Sequence, residues 1–202
     1  MMPRDAGHDR RQRRLLLALA LLFFAPLAVA FYLYYGSVGW RPGHRVNHGD
    51  LIEPPRPLPD VSLPIAAAPG VAPATGSLVL KGKWTLLYVG AGECSAVCRS
   101  DLYEMRQVRI ALNREMDRVQ RVFIAQGACC DWPFLDEQHP DLITVTATPD
   151  TTPVLALLPA GAADRIFLID PLGNLMMSFA PDAKPKGMLT DLKRLLGLSH
   201  VG

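Results

Sequence analysis

From Leu15 to Trp40 the chain carries no charged residue (LLLALALLFFAPLAVAFYLYYGSVGW), directly after a tail holding Arg4, Arg10, Arg11, Arg13 and Arg14 against Asp5 and Asp9. A helix rises ~1.5 Å per residue, so Leu15–Tyr35 reaches ~30 Å, the thickness of a bilayer's hydrocarbon core. Such a helix is apolar on every face, and the rest of the chain offers nothing that could cover it in a soluble fold. One transmembrane helix over residues 15–38 is therefore expected, with the lipid bilayer as its partner. The arginines hold the tail, residues 1–14, in the cytoplasm, so everything after the span crosses to the other side. Tyr32, Tyr34, Tyr35 and Trp40 fall where an interfacial aromatic belt lies. Pro26 sits mid-span, where neighbouring groups or water can satisfy the carbonyl it frees. The competing reading is a signal peptide cleaved after Ala28-Val29-Ala30. Against it, the apolar run continues to Tyr35 instead of turning polar after Ala30. Either way the remainder is exported, which places it on the periplasmic side of an inner membrane.

Residues 39–75 contain Pro42, Pro54, Pro55, Pro57, Pro59, Pro64, Pro69 and Pro73 and show little periodicity. Proline fixes φ and removes donors, so this segment is expected to be an extended tether, part of it lying along the domain surface. What remains, residues 76–198, is about 125 residues long, enough for one core of ordinary domain size. The net charge of +2 is small, and no basic stripe with interleaved aromatics follows the first 14 residues, which excludes a nucleic-acid binder. Four cysteines are too few for a disulfide-stapled mini-fold, so they read as chemistry or as buried thiols.

Within the domain, Trp84–Val89 (WTLLYV) is continuously apolar, as a buried central strand requires. Gly90-Ala91-Gly92-Glu93 breaks it, and Cys94-Ser95-Ala96-Val97-Cys98 follows. From about Ala96 to Met116, Leu102, Met105, Val108, Leu112 and Met116 recur at helical spacing, with Arg99, Asp101, Glu104, Arg106, Arg109 and Arg114 filling the other faces. Arg118–Ala125 reads as a second strand and 127–140 as irregular. Leu142–Val145 is a short strand, and Thr152–Leu158 is ambiguous. Arg165–Ile169 and Leu175–Phe179 form a hairpin about Asp170-Pro171-Leu172-Gly173-Asn174. Lys186–Leu196 is a closing amphipathic helix. The order β-α-β-(irregular)-β-β-α points to an α/β, thioredoxin-like domain behind one transmembrane helix.

Cys94 and Cys98 lie four residues apart at a helix start, so their sulfurs share a face. Free N–H groups and the helix dipole favour thiolate there. Such a pair can bind a soft ion such as Cu(I), cycle between dithiol and disulfide, or form a simple structural disulfide. Cys129-Cys130 is a second, adjacent pair. It could close a vicinal disulfide, exchange with Cys94/Cys98, add soft ligands, or be two ordinary thiols, and Trp132 could pack over it. His139 falls in the irregular segment and reads as a solvated loop histidine. His44 and His48 sit in the tether and His200 at the terminus, while Met176 and Met177 read as strand core.

GKWTLLYVG, Cys94-x-x-x-Cys98, RIFLIDPLGNL and the closing DLKRLL helix together resemble the Sco/SenC family, over about Gly76–Leu196 plus the anchor. These are membrane-anchored thioredoxin-like proteins that help assemble the copper centres of cytochrome c oxidase. The resemblance implies a redox-active, copper-binding role for Cys94 and Cys98, Cu(I) as the metal, and a respiratory oxidase subunit or its assembly factors as partner. In that family a distal histidine completes the copper site. Ala162 falls in its place here, so tight Cu(II) binding is not implied. A thioredoxin-type proline is missing from the same spot. A general thiol-disulfide oxidoreductase and a scaffold without chemistry remain the alternatives.

Overall fold

A computed structural model describes residues 6–36, 46–70, 76–181, 183–199 and 201–202. Arg4, Trp40, His44 and His200 lie outside the described residues. The chain divides into two compact units, Met1–Arg45 and Val46–Gly202.

In the first unit, helix α1 runs over Ala6–Tyr35. Its stretch Arg11–Tyr35 is long and apolar enough to cross a membrane, and Leu15, Leu22, Phe23 and Leu27 are all exposed on it. The helix begins nine residues before Leu15, inside the basic tail, so residues 6–14 and the span are one element. Pro26 is accommodated within it.

The second unit is a mixed α/β thioredoxin-like fold. Its six-stranded sheet is built from β1 (Asp50–Pro57), β4 (Trp84–Ala91), β5 (Val119–Gln126), β6 (Leu142–Thr146), β7 (Arg165–Ile169) and β8 (Asn174–Phe179), in the order β1-β8-β7-β4-β5-β6. A separate ribbon pairs β2 (Leu63–Pro64) with β3 (Ser77–Leu78). β4, β5 and β6 are parallel, while β7 and β8 run antiparallel beside β4. WTLLYV is continuously apolar because β4 lies centrally and is covered on both faces. Trp84, Leu86 and Tyr88 join the core beneath α2 (Ala96–Ala111) and α5 (Pro185–Leu198), and Leu87 and Val89 join the core on the opposite face.

On that opposite face, Leu58 and Leu63 of the proline-rich segment are buried with Leu78, Leu80, Val154 and Leu158, so this part of the segment covers the sheet. β1 pairs with β8 as an edge strand, with an irregularity in register between Leu51 and Arg56 that takes up Pro54 and Pro55. Proline is tolerated in sheets at such edges and bulges because its missing N–H is not needed there. Asp191 of α5 fastens the start of this segment. Its buried carboxylate accepts from the His48 N–H (2.7 Å) and the Gly49 N–H (2.9 Å) and faces His48 Nδ1 at 3.1 Å.

Two further readings change. Residues 127–140 contain a short helix, α3 (Trp132–Gln138), with Pro133 in its first turn. The ambiguous Thr152–Leu158 opens with helix α4 (Thr152–Leu155), preceded by a 3-10 turn over Pro149–Thr151.

Candidate thiol site

The end of β4 delivers the first cysteine pair. The chain turns at Ala91–Glu93, where the Cys94 N–H donates to the Ala91 carbonyl (3.0 Å). Cys94 takes φ +48°, a left-handed conformation that non-glycine residues rarely adopt. Ser95 then caps α2, its hydroxyl accepting from the Cys98 N–H at 3.3 Å. Cys94 and Cys98 are joined as a disulfide with Cα atoms 5.1 Å apart. Both are buried, at 3% and 1% exposure, in the core beneath α2. Cys129 and Cys130 form a second disulfide in the loop after β5. They are half-buried and pack against that same core.

The two loops are fastened together. The Gly92 N–H donates to the Gln126 carbonyl (2.9 Å), and the Asp131 N–H donates to the Gly92 carbonyl (3.3 Å). Arg99 spans the join: its Nε donates to the Cys94 carbonyl (3.3 Å) and it forms an ion pair with Asp131. Its guanidinium lies 4.4 Å from the centre of the Phe134 ring. A Cβ on Gly92 would come within 2.8 Å of Cys129 Cα, so glycine is what allows this approach.

Asp101 is the site residue that the sequence reading misplaced. Instead of filling an outer face of α2, it is 2% exposed, on the buried face with Cys98, Leu102, Met105 and Val108. Its Oδ2 has no hydrogen-bond partner among the described residues. Burial, with the nearby charges of Glu104 and Asp164, pushes its carboxyl up from 3.8 to about 7. Asp164 also accepts from the Tyr88 hydroxyl (2.8 Å), and burial together with this bond holds the phenol well above its usual range. The spacing carried the signal: Asp101 is three residues after Cys98 and four before Met105, which is the period of the buried stripe.

His139 is not a solvated loop histidine. It is 3% exposed at the end of α3, its Nδ1 3.3 Å from Nη1 of the fully buried Arg121, its ring edge-on to Phe134. Burial, then the charges of Arg121 and Arg106, bring it down to about 4. Arg121 also bonds the Leu102 carbonyl (3.3 Å) and the Asp141 carboxylate (2.5 Å). Although partial burial works against it, that bond and charge hold Asp141 below the usual carboxylate range. Met177 is core and Met176 packs beside it, while Ala162 packs half-buried against the core on the opposite face of the sheet. Among the described residues no three His, Cys, Asp or Glu side chains converge as a metal cradle.

No curated protein sequence matches the chain. Solved structures do. Apo Sco1 from Thermus thermophilus aligns over 76% of this chain and 99% of its own, at 18% identity and a TM-score of 0.54. Yeast Sco1 with copper bound aligns over 72% and 91%, at 15% identity and 0.57. A Chlorobium tepidum protein described as a thiol:disulfide interchange protein, DsbE, aligns over 72% and 97%, at 19% identity and 0.51. At these identities the likeness is one of fold. The family model for the transmembrane-like, thioredoxin-like C-terminal domain matches residues 84–199. That match spans more than half of the sequence, from the strand before the first cysteine pair through the closing helix, and the chain belongs to this family.

Proposed function

We propose that this protein is a membrane-anchored, Sco-like thiol protein that serves cytochrome oxidase assembly from the periplasmic face of an inner membrane. Cys94 and Cys98 are its working pair. The observation that carries the reading is the placement of this pair: a disulfide between a left-handed Cys94 and the first turn of α2, at the end of the central strand. A helix start favours the thiolate form after reduction. The dithiol can then reduce a partner's disulfide. One thiolate attacks a partner sulfur, the second resolves the mixed disulfide, and two electrons and two protons leave as Cys94–Cys98 closes again. The same two thiolates suit Cu(I) as cargo, whose softness matches sulfur. With Ala162 where the family carries histidine, they supply no imidazole, so Cu(II) is a poor match. The respiratory oxidase subunit that receives copper or electrons is the expected partner, and residues 15–38 anchor the protein in the bilayer.

A second reading, general thiol-disulfide interchange, is favoured by the likeness of fold to the Chlorobium tepidum DsbE protein. One experiment separates the two. The reduced protein is titrated with Cu(I) against a strong chelator, alongside Cys94→Ala and Cys98→Ala. Retention by wild type and loss in both variants supports copper handling. Equal, weak retention by all three, with a reversible disulfide still present, leaves interchange alone. A Cys94–Cys98 disulfide that cannot be reversibly reduced removes both.

A further inference from the structure

Cys129 and Cys130 differ from Cys94 and Cys98 in one respect that matters for chemistry: access. The first pair is sealed in the core, while the second is half-buried at a surface depression lined by Glu93, Ala128, Cys129, Cys130 and Asp131. The depression thus reaches Glu93, the residue next to Cys94. Both pack against a single apolar cluster. The Gly92–Asp131 hydrogen bond, the side-chain-free approach of Gly92 to Cys129, and the Arg99 bridge from the Cys94 carbonyl to Asp131 hold the two loops in register. Nothing in the sheet requires this clamp, since β4 and β5 already pair along their full lengths.

We propose that Cys129/Cys130 is a second thiol-disulfide site, through which electrons from an external dithiol reach Cys94/Cys98. This rests on the redox role assigned to Cys94/Cys98 above. A thiolate of the external dithiol attacks the Cys129–Cys130 bond, and its second thiol resolves the mixed disulfide. The donor leaves as a disulfide and Cys129/Cys130 is left as a dithiol. A Cys129 or Cys130 thiolate then attacks the Cys94–Cys98 bond, and the other thiol of that loop resolves the intermediate. The Cys129–Cys130 bond reforms and Cys94/Cys98 becomes the dithiol. Two electrons and two protons have moved inward, with the donor's disulfide as the only other product. The natural donor is a dithiol protein of the thioredoxin kind.

The full-length protein in detergent tests this, with dithiothreitol as the probe. The oxidised protein is reduced, quenched with acid at intervals, and the state of Cys94 and Cys98 read by differential alkylation and mass spectrometry. Removing the outer pair by Cys129→Ser with Cys130→Ser should slow reduction of the inner pair by about tenfold or more, because exchange then has to start at a buried disulfide. Four variants that each keep one cysteine of each pair test proximity independently of that rate. In a glutathione buffer at least one should close an intrachain disulfide in high yield. Equal reduction rates with and without the outer pair, or failure of all four variants to crosslink, overturns the relay while leaving Cys94/Cys98 as the working pair. An inner disulfide that never becomes reduced in wild type and variant alike overturns the functional reading along with it.

Discussion

Replacing Asp101 with Asn removes a titratable group from the core while keeping the shape of the side chain, and the structure fixes the sign of the result. The folded carboxyl holds its proton up to about 7, while the unfolded one loses it near 3.8. Between those values the folded state binds more protons, so stability falls as pH rises through the window. At about 1.4 kcal/mol for each pH unit, the gap amounts to ~4 kcal/mol. Asp101→Asn should thus be more stable than wild type by up to ~4 kcal/mol above pH ~7 and about equal to it near pH ~4. His139 acts with the opposite sign. Its folded value lies near 4 against an ordinary 6.5, so the unfolded state takes up the proton first. Stability is lost as pH falls through that range, by ~3 kcal/mol. In wild type the two slopes largely cancel below pH ~6.5; in Asp101→Asn the histidine slope stands alone. Urea titrations of the oxidised protein, followed by tryptophan fluorescence across this range, read the difference. With an m-value of about 2 kcal/mol/M, the midpoint near pH ~8 should rise by ~2 M. A difference between variant and wild type that stays constant with pH refutes the assignment of Asp101 as a buried, protonated carboxyl.

Three other substitutions follow from the same geometry. Added to Asp101→Asn, His139→Gln should flatten the acid limb between pH ~4 and ~6.5, seen in the same titrations, because the group that the unfolded state protonates first is gone. Asp191→Ala leaves the His48 and Gly49 N–H groups without their carboxylate and should cost roughly 3 kcal/mol, with limited proteolysis cutting first within 46–57. Gly92→Ala brings a Cβ within 2.8 Å of Cys129 Cα and 2.9 Å of the Ala128 carbonyl carbon. It should cost about 1–3 kcal/mol in thermal or urea unfolding and speed the alkylation of Cys129 and Cys130 after reduction.

The readable parts of this chain were those where one pattern acts alone. WTLLYV has a single interpretation because a strand covered on both faces needs an unbroken apolar run, and the cysteine pair follows from the glycine break after it. The hairpin after RIFLI was equally plain from Pro171 and Gly173. The rest was hidden by competing signals. Pro54, Pro55 and Pro57 argue against a strand, yet an edge with a bulge admits them, so β1 was read as tether. Helix α3 has seven residues and buries one side chain, Leu135, too few to show a period. His139 was read from its neighbours in sequence, while its environment comes from Arg121, on a different strand. Arg121 itself was the missed clue: an arginine within RVQRVFIA at the same parity as Val119, Phe123 and Ala125 must enter the core and find acceptors there. Asp101 is hidden because charges on an amphipathic helix ordinarily face water.

Residues 50–66 also guard both margins of the sheet. At one, β1 covers β8 and presents to solvent a rim with Pro54, Pro55 and Pro57, which have no N–H to offer an arriving strand. At the other, the Ala66 N–H donates to the Thr144 carbonyl (2.8 Å) and Ile65 bridges Val145, closing part of β6. A fragment cut at Gly76 would bare both margins and the apolar face beneath Leu58 and Leu63 at once. Bare rims are templates for edge-to-edge growth between molecules. If anchored in one membrane as proposed above, copies would meet far more often than copies in free solution. For them, the segment ahead of the thiols works as an anti-aggregation collar, letting the proteins crowd without joining sheets.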